Sequence, residues 1–194
     1  RDGAKEGDKI FVSGALGDAA VGLTLLNGSA PEFSAPSYRH RDNLKYLKAR
    51  LDRPSPRVSL GLELINVASS CIDVSDGLLA DLSHLCGRGS LSDRSSLGCK
   101  GSLGTEIYFE QLPLSAELRA YFEDSQLSEL EKAKLVLASG DDYELCFSAP
   151  EERREEVAAA ASKAGVPVTL IGKFTEAGSI RCIDANGEML DLQH

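Results

Sequence analysis

The sequence predicts an α/β or α+β fold, a mixed sheet covered by helices, and three observations carry that expectation. Short β-favouring runs alternate with helix-like runs from end to end without an internal repeat, the pattern of a sheet packed against helices. The 194 residues provide room for one full domain. Hydrophobic residues make up 42% and charged residues 26%, ordinary globular usage that leaves disordered, collagen-like and coiled-coil architectures without support.

Taken in order, Asp8–Ser13 (DKIFVS) reads as a strand stopping at Gly14, because Ile10, Phe11 and Val12 favour β structure. A glycine turn at Gly17-Asp18 then opens a helix with Ala20, Val21, Leu23, Leu25 and Leu26 at helical spacing, ending at Asn27-Gly28. Ser29–Ser37, with two prolines, reads as a loop, and Tyr38–Leu51 as a charged helix broken by Asp52-Arg-Pro-Ser-Pro56. Arg57–Ala68 reads as a further helix whose low charge predicts burial on most sides. An apolar strand at Ser69–Ser75 leads through Asp76-Gly77 into a helix with Leu78, Leu79, Leu82 and Leu85 on one face, ending at Cys86-Gly87.

Arg88–Gly104 is rich in Ser and Gly and reads as a flexible surface insertion. Thereafter Thr105–Leu112 reads as a strand, Ser115–Phe122 and Leu127–Leu137 as helices, and Tyr143–Ser148 as a strand. Glu151–Ala164 follows as an Ala-rich helix, with closing strands at Val166–Phe174 and Ser179–Asp184.

The net charge of −9 repels phosphate backbones and anionic head groups, so neither nucleic acid nor a membrane surface is an expected partner. No apolar run approaches the roughly 18–20 residues of a spanning helix. The five cysteines are odd in number and contain no C-x-x-C pair, which argues against a disulfide framework or thiolate zinc site and for a reducing cytoplasm. The N-terminus, Arg-Asp-Gly-Ala-Lys-Glu-Gly-Asp, has neither an initiator Met nor a signal-peptide apolar region, so an upstream part is expected.

Chemistry concentrates in Cys71–Leu82 (CIDVSDGLLADL), where a strand runs into a turn carrying Asp73, Ser75 and Asp76. Strand alternation puts Asp73 and Ser75 on one face, and Asp76 can swing toward the same point. Such oxygen donors suit Mg²⁺, which takes a few carboxylates plus phosphate oxygens and water. Ser75 or Asp76 equally suits a helix cap, and Asp81 reads as an exposed helix position rather than a ligand. Ser139-Gly-Asp-Asp-Tyr-Glu-Leu145 is either a surface turn or a pair of acids facing a cationic ligand. Gly14-Ala-Leu-Gly17-Asp18 could hold phosphate on backbone N–H groups, though it lacks the spacing and lysine of known phosphate loops. His40, His84 and His194 form no i, i+4 pair and read as structural or solvated; no nucleophile elbow or activated cysteine occurs.

Five blocks, in order and spacing, make the sequence similar to the thiamine-monophosphate kinases, of the superfamily that includes aminoimidazole ribonucleotide synthetase and selenophosphate synthetase. They are Arg1–Gly14, Gly17-Asp-Ala-Ala-Val-Gly-Leu23, Arg53-Pro-Ser-Pro-Arg57, Ile72-Asp-Val-Ser-Asp-Gly-Leu-Leu-Ala-Asp-Leu82 and Ser139-Gly-Asp-Asp-Tyr-Glu-Leu145. The resemblance implies the C-terminal α/β domain of a longer two-domain cytoplasmic enzyme that transfers the γ-phosphoryl of ATP directly to thiamine monophosphate with Mg²⁺. The other domain would carry further metal ligands and much of the nucleotide site and mediate homodimerisation. Asp73 and Asp76 then match magnesium ligands, Ser75 and Arg1 match ATP contacts, and Asp141 matches a substrate-contacting acid. That acid is usually Glu in a Gly-Gly-Glu-Asp motif, where this chain has Ser-Gly-Asp-Asp, and the chain stops before an aromatic residue that the family places against the substrate. A selenophosphate synthetase-like enzyme and a non-catalytic ligand-binding module are the alternatives at this point.

Overall fold

The computed structural model describes residues 2–28, 38–86, 103–176, 178–184 and 186–190. Among them, strands β1 (Lys9–Ser13), β2 (Ser70–Asp73), β3 (Gly104–Tyr108), β4 (Leu145–Ala149), β5 (Val168–Thr175) and β6 (Ile180–Ile183) form one sheet in the order β2-β4-β1-β5-β3-β6. The β3/β6 pair is parallel and the other pairings are antiparallel, so the sheet is mixed as predicted and the class is α+β. The helices are α1 (Asp18–Leu26), α2 (Tyr38–Asp52), α3 (Val58–Glu63), α4 (Leu78–Leu85), α5 (Ala116–Asp124), α6 (Glu129–Leu137) and α7 (Arg154–Ala164).

Strand alternation divides the apolar residues between two faces. Ile10, Val12, Ile72 and Cys146 pack with Val21 of α1, Leu47 of α2, Leu82 of α4, Leu118 of α5 and Val136 of α6. On the opposite face, Phe11 and Phe147 sit directly across from each other with ring centroids 5.4 Å apart, covered by Leu60, Leu64 and Val157. Helices α1 and α2 meet backbone to backbone at Gly22, where a Cβ would lie 2.5 Å from the Leu47 carbonyl oxygen.

Several boundaries differ from the sequence reading. The helix expected over Arg57–Ala68 is one short helix, α3, followed by turns. It is not buried on most sides: Leu60 and Leu64 point inward, while Val58, Leu62 and Ile65 are 66%, 63% and 61% exposed, because only one stripe of a short helix lying on a sheet reaches the core. The strand expected over Thr105–Leu112 ends at Tyr108 and closes in a 3₁₀ turn at Phe109–Gln111. The strand expected from Tyr143 starts at Leu145, because Tyr143 has a positive φ of 51° that no β-strand accommodates. The insertion expected at 88–104 falls, except for Leu103 and Gly104, outside the described residues, as do Arg1, Cys99 and His194 and the loop read at 29–37. No described helix is long and apolar enough to cross a membrane.

Candidate functional site

Both β1 and β2 run antiparallel to β4, so the residues that follow β1 and β2 and those that precede β4 gather at one end of the sheet. Two loops interlock there. The Asp141 N–H donates to the Ser75 carbonyl at 3.0 Å, the Tyr143 N–H to the Val74 carbonyl at 2.9 Å, and the Val74 N–H to the Glu144 carbonyl at 2.8 Å. Gly140 permits the approach, since a Cβ there would lie 2.1 Å from the Ser75 carbonyl oxygen. The contact also holds Asp141 at a φ of 68°, a left-handed conformation that Asp tolerates better than most residues but that still needs surrounding contacts to hold it.

The two acidic constellations noticed separately in the sequence therefore form one surface. Asp73, Asp76 and Asp141 are exposed and Ser75 half-buried. Among the described residues, the carboxylates of Asp73 and Asp76 make no hydrogen bond or ion pair. Neither Ser75 nor Asp76 caps α4: the N-cap is Gly77, at a φ of 112°, with no side-chain cap. The helix-cap reading is thus overturned by backbone geometry, because Gly77 separates the acids from the helix start.

Asp81 corrects the sequence reading in the opposite direction. Expected on an exposed face, it is 2% exposed, and its Oδ2 accepts the N–H groups of both Ser75 and Asp76 at 2.9 Å. Burial raises its pKa above the ordinary carboxylate range, the two N–H donors oppose the shift, and the nearby Asp76 and Asp73 charges add to it.

The adjacent acids Asp141 and Asp142 face opposite ways. Asp142 is 1% exposed and accepts the Gly17 N–H at 2.8 Å and the Ala19 N–H at 3.3 Å, anchoring the start of α1. Those N–H groups, with Gly14 N–H on the Pro167 carbonyl and Leu16 N–H on the Pro113 carbonyl, are satisfied internally. The glycine turn is therefore a structural junction whose Gly14, Leu16 and Gly17 N–H groups are already committed within the fold.

Burial pushes the Asp142 pKa up to about 7, against the pull of its N–H donors. Between about pH 4, where an unfolded Asp releases its proton, and pH 7, the folded state holds a proton that the unfolded chain has lost. Asp142 therefore makes the fold less stable as pH rises through that window. The fall in melting temperature between pH 5 and pH 8 is expected to shrink in Asp142→Asn; an unchanged fall would show that the carboxyl titrates normally.

Beneath this surface lies an ionic hub that the sequence analysis did not single out. Glu144 is fully buried. Arg57 grips it through Nε on Oε2 and Nη2 on Oε1, each at 2.6 Å, while Arg50 Nη2 donates to Oε1 at 3.0 Å and Ser13 Oγ to Oε2 at 2.6 Å. Arg50 also reaches toward buried Asp18, Nε to Oδ2 3.5 Å, and Ser115 Oγ donates to Asp18 Oδ1 at 2.6 Å. The available signal was alternation: Asp142, Glu144 and Cys146 are buried while Tyr143 is exposed, a period of two beginning ahead of β4. A cleft of about 380 Å³ opens beside the hub, lined by Gly14, Tyr46, Arg50, Arg57, Ser115 and Glu117 among others.

Among the described residues no group of three or more His, Cys, Asp or Glu side chains is gathered to hold a metal by itself. Asp73 and Asp76 nonetheless fit Mg²⁺ as partial donors, being hard oxygen ligands free of other partners, with phosphate oxygens and water to complete the shell. His84 sits half-buried in the last turn of α4, away from the acidic turn at that helix's start.

The family described as AIR synthase related protein, C-terminal domain, matches residues 5–185. The chain belongs to this family. Among the relatives of this AIR synthase related domain is a thiamine-monophosphate kinase of Haemophilus influenzae, 37% identical over 178 residues, covering 91% of this chain and 46% of the relative. Among solved structures, the domain is similar to thiamine-monophosphate kinase from Stenotrophomonas maltophilia, with a TM-score of 0.75 at 34% identity, covering 97% of this chain and 53% of the other. AaThiL complexed with AMPPCP and TMP matches with a TM-score of 0.69 at 31% identity, covering 98% and 51%. The domain thus spans about half the length of the proteins it matches.

Proposed function

We propose that this AIR synthase related domain is the C-terminal half of a two-domain, cytoplasmic thiamine-phosphate kinase that uses ATP and Mg²⁺ to convert thiamine monophosphate to thiamine diphosphate by direct phosphoryl transfer. The observation that carries the reading is the interlocked pair of loops, which presents Asp73, Asp76 and Asp141 at one end of the sheet in a chain whose relatives are named thiamine-monophosphate kinases. The binding of AMPPCP and TMP by AaThiL supports ATP and thiamine monophosphate as the pair of substrates.

In this reading Asp73 and Asp76 hold Mg²⁺, whose charge, when bound, neutralises the phosphates and lets an acidic protein accept two polyanions. Ser75 and Arg1 contact ATP. Asp141, turned outward by its left-handed backbone, meets the cationic ring system of thiamine. The chain supplies one wall of the site, and the other domain completes it and pairs two copies into a homodimer. Cys71, Cys86, Cys146 and Cys182 are thiols outside any disulfide, which suits a reducing compartment.

The test is ATP- and Mg²⁺-dependent formation of thiamine diphosphate by this domain alone and by the two-domain protein. Activity is expected only in the latter. Inactivity in both would overturn the substrate assignment and favour selenophosphate synthesis or a binding module.

A further inference from the structure

We propose that Asp81 is a positioning residue for the magnesium site: its buried carboxylate holds the Ser75–Asp76 turn in the shape that aims Asp73 and Asp76 at the phosphates. This inference rests on the kinase reading above. It starts from an asymmetry in the acidic cluster. Asp73 and Asp76 face outward with uncommitted carboxylates, whereas Asp81, one turn into α4, lies behind them with a single oxygen receiving two successive N–H groups.

Those two N–H groups belong to the residue that would contact ATP and to one of the two that would hold metal. Both N–H groups find their acceptor in the Asp81 carboxylate rather than in the backbone of α4, and Gly77, at a φ of 112°, carries the chain from the turn into the helix. Placing a third acid behind two others is electrostatically unfavourable. The two N–H groups offset that repulsion, so the carboxylate and the turn hold each other in place. On its other side the turn is held by Asp141 N–H on the Ser75 carbonyl, so Asp81 and the Gly140-Asp141 loop hold it from both sides.

Two substitutions separate position from charge. Asp81→Ala removes the acceptor; Asp81→Asn keeps one oxygen able to receive both N–H groups while removing the charge. In the two-domain protein, Asp81→Ala is expected to raise the Mg²⁺ midpoint for thiamine monophosphate phosphorylation on the order of tenfold or more, the usual loss when a partner behind a metal ligand is removed. Asp81→Asn is expected to stay close to the unsubstituted protein. Two readouts do not depend on turnover: Mn²⁺ binding in the presence of AMPPCP should weaken in the same order, and amide exchange at Ser75 and Asp76 should accelerate in Asp81→Ala alone. If Asp81→Ala does not fold, Asp81→Ser, too short to reach both N–H groups, takes its place.

Equal shifts in Asp81→Ala and Asp81→Asn would overturn the inference, because charge rather than position would then be responsible. An unchanged Mg²⁺ midpoint in folded Asp81→Ala would do the same. Should the unsubstituted protein bind Mn²⁺ and AMPPCP yet leave thiamine monophosphate unconverted, the kinase reading fails, and the Mn²⁺ and exchange comparisons still decide the role of Asp81.

Discussion

Under the proposed kinase function, replacing Asp76 with Asn in the longer protein is expected to lower turnover of thiamine monophosphate by about 10²–10³-fold, the effect of losing several kcal/mol of metal-mediated charge stabilisation in the transition state. The same substitution leaves folding nearly untouched. Asp76 is exposed, its carboxylate has no partner among the described residues, and Gly77 rather than Asp76 begins α4. A surface change of this kind stays within about 0.5 kcal/mol. Its backbone N–H, which does the structural work through Asp81, survives in Asn. Steady-state kinetics over a Mg²⁺ series and urea unfolding, run on the same preparation, separate the two quantities. Comparable losses in turnover and stability would remove Asp76 from the metal site and make it a structural residue.

The second large effect is on stability. Glu144→Gln removes the charge at the centre of the buried hub while nearly preserving its volume. Arg57 then loses a two-pronged ion pair, and Arg50 keeps its ion pair with Asp18. Removing one member of a buried ion pair typically costs about 3–5 kcal/mol, and the partial exposure of Arg50 and Arg57 at the cleft puts the expected loss at the lower end of that range. At about 3 kcal/mol, a chain of this size loses roughly 6–12 °C in melting temperature. A double-mutant cycle with Arg57→Met isolates the pair itself. A loss below about 1 kcal/mol would mean that water or a rearranged Arg50 compensates, and that the hub is not what holds the 139–144 loop in place.

These two predictions draw on different levels of the molecule. The acids of Asp73-Val-Ser-Asp76 are recognisable in the sequence because their chemistry is local: an apolar strand, a Gly, and a leucine-spaced helix put them at a strand-to-helix turn whatever surrounds it. The ionic hub is not local. Glu144 finds Ser13, Arg50 and Arg57, which lie 131, 94 and 87 residues away along the chain, and nothing near Glu144 in the sequence states that either arginine will arrive.

The errors follow the same division. Asp81 sits at a helix position that its neighbours in sequence would expose, and it is buried because the turn before Gly77 folds back onto it. Asp141 and Asp142 look equivalent as adjacent residues, yet the positive φ of Asp141 sends one carboxylate to solvent and the other to the start of α1. Val58, Leu62 and Ile65 look like core and are exposed, because only tertiary packing decides which stripe of α3 meets the sheet.

By itself the sequence determined the succession of strands and helices, a mixed sheet covered by helices, and the turn that carries Asp73 and Asp76, since each depends on side-chain periodicity or turn chemistry within a few residues; the family followed from the order and spacing of five blocks along the chain. The tertiary structure alone decided that the Asp73–Asp76 turn and the Asp141 loop form one surface, that Asp81 and Asp142 are internal acceptors, and that Glu144 is the anchor beneath them. Each of these depends on which distant backbone N–H groups and guanidinium groups are brought within hydrogen-bonding distance, and burial makes those encounters energetically decisive.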